Sequence, residues 1–174
     1  MNFCKTLVQI SLLGSLFACQ KGNDLTSSSN KTTLKVTFDG KTKVYNDAHI
    51  SEGKLGSIVT IGITAGSSAS DYLSLTAFGA QTGTYPYKQD INNYTQVSQV
   101  EYKTAGTVFN NYFVQICPDK SGYSSSTGEI KLTEYVAGKH AKGTFTGALF
   151  NANDEEECNP QGKSFNGEFD ITLE

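Results

Sequence analysis

The stretch Thr33-Leu34-Lys35-Val36-Thr37-Phe38-Asp39-Gly40-Lys41-Thr42-Lys43-Val44-Tyr45-Asn46 decides the fold class. Leu34, Val36 and Phe38 alternate with Lys35, Thr37 and Asp39. One face is apolar and the other polar, at the two-residue period of a strand. Asp39-Gly40 then supplies a two-residue hairpin turn, because Gly tolerates positive φ. Lys41 to Asn46 runs back beside the first strand.

The same period recurs along the chain. Leu55, Val59, Ile61 and Ile63 share one face, with Ile58, Thr60 and Thr64 on the other. Leu73, Leu75 and Ala77 alternate with Ser74, Thr76 and Phe78. Val108, Tyr112, Val114 and Ile116 line a further run, and Ile130 and Leu132 another. Phe145 and Leu149 flank Gly147, and Phe169, Ile171 and Leu173 close the chain. Thr95 to Lys103 reads as one more strand, although Val97 and Val100 lie three apart. No window after the first nineteen residues sustains a helical period. The pattern predicts an all-β domain over residues 33–174, an antiparallel β-sandwich of eight or nine strands. A small lipocalin-like β-barrel is the alternative, since both use period-two strands and Gly-bearing turns.

Composition bounds the function. The chain of 174 residues has a net charge of -3, with 14 Lys and no Arg. An acidic chain without Arg is a poor match to nucleic acid, which calls for a basic face. No two Gly are two apart, so a dinucleotide fingerprint is excluded. Gly40-Lys41-Thr42 and Gly162-Lys163-Ser164 imitate the tail of a phosphate-binding loop but lack its earlier Gly.

The first nineteen residues say where the chain goes. Lys5 precedes the apolar run Thr6 to Ala18, which is too short to span a bilayer. A basic start, a short apolar stretch and small terminal residues describe an export signal over residues 1–18. Leu16-Phe17-Ala18-Cys19 resembles the bacterial lipobox, in which the Cys is acylated and becomes the first mature residue. That resemblance implies more than one acyl chain on Cys19, and two chains hold a protein stably at a bilayer. Residues 19–32 are polar, carry Ser27-Ser28-Ser29, and read as a flexible tether. Gln20 is not the Asp that retains some lipoproteins at the inner membrane. The outer membrane is therefore expected, at its periplasmic face or at the cell surface.

Further motifs carry a second resemblance. Gly83-Thr84-Tyr85 is followed by Gly128-Glu129-Ile130-Lys131-Leu132-Thr133, then Gly143-Thr144-Phe145, then Gly167-Glu168-Phe169. This order resembles an uncharacterised family of small Bacteroidota lipoproteins, over roughly residues 33–174. The resemblance implies an exported, anchored, all-β domain and lends no catalytic residues.

The candidate sites are few. Cys117 and Cys158 remain once Cys4 leaves with the signal and Cys19 is acylated. In an oxidising compartment they are expected to form a disulfide, with two reduced thiols as the alternative. His49 and His140 are read as solvated turn residues. Asn153, Asp154 and Glu155 head the densest acidic stretch and form a weak Ca²⁺ candidate. No cofactor is expected. Tyr85, Tyr87, Tyr94 and Tyr102, with Asn92 and Asn93, form the candidate binding surface, because Tyr and Asn stack and hydrogen-bond together. Against it stands the plain strand propensity of Tyr. The function expected is a non-enzymatic binding or interaction lipoprotein of the cell envelope, held to the bilayer through Cys19, with a glycan or protein partner. A carrier of a small apolar ligand in a barrel is the alternative, and a metal-dependent hydrolase is the remote one.

Overall fold

A computed structural model describes residues 32–67, 69–87, 99–106, 111–114, 128–151 and 162–173. Among these residues there are eleven strands and no helix. They are β1 (Thr33–Phe38), β2 (Lys41–Tyr45), β3 (His49–Leu55), β4 (Ile58–Gly66), β5 (Tyr72–Ala77) and β6 (Gly83–Pro86). They continue as β7 (Gln99–Lys103), β8 (Asn111–Phe113), β9 (Gly128–Val136), β10 (His140–Asn151) and β11 (Lys163–Thr172).

Every pairing is antiparallel, as the alternation predicts. One layer runs β2-β1-β11-β10-β9-β6, and the other β3-β4-β5-β7-β8. Strand β10 belongs to both. Its first ten residues pair with β11, and its end pairs with β8 through Phe150↔Phe113 and Asn151↔Tyr112. The eleven strands therefore make one sheet, curled into a half-barrel with its apolar faces turned inward. The count exceeds the expected eight or nine mainly because β3 is an edge strand. From His49 to Lys54 only Ile50 is buried, while Ser51 to Lys54 are exposed, so the burial there does not alternate.

The first hairpin forms as its sequence dictates. Asp39 and Gly40 both have positive φ, 50° and 75°. That is the type I′ geometry that matches the twist of the strands. The turn is docked on β11, where the Asp39 N–H donates to the Ser164 carbonyl at 3.0 Å. The Lys163 ammonium donates to the Asp39 carboxylate at 2.9 Å.

The recurring Gly-x-aromatic units have a packing role. In the β10–β11 register, Gly143 lies opposite Phe169 and Phe145 lies opposite Gly167. Each ring covers the other strand's glycine. A Cβ at Gly167 would run into the Lys35 carbonyl oxygen and the Phe145 ring; one at Gly143 would meet the Lys131 carbonyl and the Phe169 ring. Next to Gly143, the β9–β10 register shifts by a bulge, which adds local twist.

The inner faces meet in one apolar cluster. An aromatic file crosses it: Phe38 to Tyr102 at 5.1 Å, Tyr102 to Phe165 at 6.0 Å, and Phe165 to Phe145 at 4.8 Å between ring centroids. Such offset contacts add to the stabilisation from area burial. A side-chain latch ties the open edge down. The Glu52 carboxylate on β3 accepts from the Tyr135 hydroxyl and from the Gly138 N–H, linking β3 to the β9–β10 hairpin.

Candidate functional site

Among the described residues, the tyrosines expected to form a binding surface do not share one exposed face. Tyr87 and Tyr102 are buried in the core, at 0% and 4% exposure, which corrects their reading as binding residues. Tyr102 has the strand parity of buried Val100, so the pleat of β7 turns both inward. Tyr85 is half-buried, and its hydroxyl donates to the Gln81 carbonyl at 2.7 Å. Tyr94, Asn92 and Asn93 lie outside the described residues. So do Cys19, Cys117, Cys158 and the acidic stretch holding Asn153, Asp154 and Glu155. Among the described residues, no three His, Cys, Asp or Glu side chains are placed to hold a metal. His49 is exposed at the start of β3. His140 is half-buried as the first residue of β10, rather than a solvated turn residue.

The structure instead gathers polar residues on the outer face of the first layer. Period two sends Lys35, Thr144 and Glu168 outward while Val36, Phe145 and Phe169 go in. Strand register then sets two rows across the sheet. One row is Val44–Lys35–Glu168–Thr144, and the other is Thr33–Asp170–Lys142–Glu134. Neighbours in these rows carry complementary charge. Lys35 faces Glu168 at 3.6 Å, and Lys142 faces Asp170 at 3.4 Å and Glu134 at 3.7 Å. His140 Nε2 meets the Asp170 carboxylate at 2.8 Å.

Electrostatics follow from these contacts. The His140 hydrogen bond, against the opposing effect of burial, and then Lys142 hold the Asp170 carboxyl below the ordinary carboxylate range. Asp170 in turn, with Glu134, raises the Lys142 ammonium above its ordinary value. Between the two rows lies an open groove of about 410 Å³, lined by Thr33, Lys35, Val44, Thr144, Glu168 and Asp170 among others. Its chemistry is that of reversible hydrogen bonding. The alternation marks Lys35, Glu168 and Asp170 as solvent-facing in the sequence. Only the register, which strand pattern alone does not fix, brings them together.

A second polar cluster links β2 to the residues just before β5 and just after β7. The Asp71 carboxylate accepts from the Lys43 ammonium at 3.0 Å and from the Ala105 N–H at 2.5 Å. Burial pushes the Asp71 carboxyl up, but the Ala105 N–H and Lys43 outweigh it and hold it below its ordinary range. Beside it the Tyr45 hydroxyl is buried with no hydrogen-bond partner. The Tyr102 hydroxyl stands near, close enough to raise the Tyr45 pKa after burial itself, yet outside hydrogen-bonding geometry.

A carboxyl with a depressed folded pKa stabilises the fold above the unfolded value, about 3.9 for Asp. That stabilisation is lost as pH falls through the folded value. The urea midpoint is therefore expected to hold from about pH 7 to 5 and to fall below about pH 4. Asp71→Asn should lower the midpoint near neutrality and flatten the acid fall. An acid fall as steep in Asp71→Asn as in the parent would show that Asp71 carries none of it.

No helix among the described residues is long and apolar enough to cross a membrane. Compared with protein-family models, with curated proteins and with solved structures, the chain matches none.

Proposed function

We propose that the chain is a membrane-anchored, non-enzymatic binding or interaction lipoprotein of the cell envelope. The observation that carries this reading is Leu16-Phe17-Ala18-Cys19 at the end of a short apolar run. An acylated Cys19 is the anchor, on the outer membrane. Residues 20–32 span roughly 45 Å when extended, which lets the domain stand clear of the headgroups. The β-domain then begins at Thr33, directly after the tether. In this reading the partner is met by the face of the domain, where the groove between β1, β10 and β11 lies. The Cys117–Cys158 disulfide belongs to the same proposal, as the exported compartment is oxidising. A bridge enclosing residues 118–157 would add up to about 4 kcal/mol by chain entropy.

Cys19→Ala tests the anchor. The parent is expected in the membrane pellet after cell lysis, and Cys19→Ala in the soluble fraction, with the same circular dichroism. Two acyl chains at about 0.8 kcal/mol per buried CH₂ make the expected shift nearly complete. Retention in the pellet of Cys19→Ala from which residues 1–18 have been removed would refute acyl anchoring.

A further inference from the structure

We propose that the outer groove of the first layer is a subsite for a neutral oligosaccharide laid across the strands. The inference rests on the binding-module reading and names its ligand class.

Charge balance selects a neutral ligand. Within the groove, Lys35 and Lys142 face Glu168 and Asp170. A charged ligand meets as many like charges as opposite ones there, and like-charge contacts disfavour it. A polyol instead finds ammonium donors beside carboxylate acceptors, spaced by the strand register.

The pairs are also loose enough to share. Their separations of 3.4 and 3.6 Å exceed the 2.7–2.9 Å of a strong charge-assisted bond. The four side chains are 45–66% exposed. Lys35, Glu168 and Lys142 can each turn toward a hydroxyl without giving up a tight contact. Asp170 keeps its place meanwhile, because His140 holds it at 2.8 Å.

Between the charges the lining is hydrocarbon. Val44 is 54% exposed, and Thr133, whose hydroxyl is tied to the Lys142 carbonyl at 3.1 Å, also lines the groove. Thr33 and Thr144 add further methyl groups, and the lysines add their stems. A pyranose ring has the matching surface, a C–H face with a hydroxyl rim. The volume of about 410 Å³ falls in the range of small-ligand sites. An open trough suits a chain better than a closed molecule.

The test titrates the full mature chain, ¹⁵N-labelled and held in detergent micelles. The neutral probes are maltohexaose, cellohexaose, laminarihexaose and chitohexaose, with hexagalacturonate as the charged control. At least one neutral hexasaccharide is expected to shift the amides of residues 33–35, 142–144 and 168–170. Its affinity should exceed that for hexagalacturonate at least tenfold. Thr144→Lys places a charge in the trough at an exposed position and should weaken binding at least tenfold, while Thr144→Ser retains it. Amide dispersion shows that both variants are folded. Silence of these amides with all four neutral sugars overturns the proposal. So does equal binding of hexagalacturonate, or binding that Thr144→Lys leaves intact. Fractionation of Cys19→Ala reads the anchor separately: an unanchored chain with a responsive groove refutes the anchor alone, and an anchored chain with a silent groove refutes the subsite alone.

Discussion

Gly167→Ala is expected to lower the thermal midpoint by roughly 6–12 °C, the equivalent of about 3 kcal/mol for a domain of this size. The added methyl has nowhere to go. On one side stands the Lys35 carbonyl of the neighbouring β1 strand, and on the other the ring of Phe145. The carbonyl belongs to the β1–β11 ladder, in which Lys35 pairs with Glu168 and Val36 with Gly167, so it cannot swing aside without breaking the ladder. Gly143→Ala should behave alike, against Lys131 and Phe169. Gly53→Ala is the control. Its Cβ would meet only the side-chain hydroxyl of Thr60, which can rotate. That variant should stay within about 0.5 kcal/mol of the parent. Equal midpoints for Gly167→Ala and Gly53→Ala in a thermal melt would contradict the reciprocal Gly–Phe packing.

Phe145→Ala should cost about 3–5 kcal/mol, the usual range for emptying a buried aromatic site. Phe145 is 1% exposed and stacks on Phe165 at 4.8 Å and on Phe169 at 6.5 Å. Its ring also covers Gly167, which has no side chain to fill the space left behind. The surrounding strands are tied on both sides by β9 and β11 and cannot collapse inward easily. Phe113→Ala is the contrast, because Phe113 is 37% exposed at the end of β8. Chemical denaturation of the two variants checks the difference. A loss below about 1 kcal/mol for Phe145→Ala would mean that this file of rings does not organise the core.

The sequence shows the fold class clearly where a strand has one wet face and one dry face. Strands β1, β5, β9 and β11 bury the residues that their alternation marks. Strand β3 escapes because an edge strand buries little. Its Glu52 and Lys54 are exposed, and the pattern there resembles a loop. The Gly-Thr-Phe and Gly-Glu-Phe motifs are visible as strand features. Their mutual cover depends on the pairing of β10 with β11, which a single strand does not reveal. Tyr87 and Tyr102 fail as surface residues for a different reason. Tyrosine suits a core wall and a binding face equally well, and its composition does not tell which. The groove residues Lys35, Glu168 and Asp170 are legible one by one as solvent-facing. Their convergence is a product of register and of the curl of the sheet.

The anchor is the claim on which the proposed function depends, and one mass measurement tests it most directly. The full chain is produced in a Gram-negative host that processes lipoproteins, extracted from membranes and digested, and its N-terminal peptide is weighed. The account predicts a chain that begins at Cys19 and carries the added mass of two or more acyl chains. A mature chain with an unmodified Cys19, or one beginning elsewhere, would contradict it.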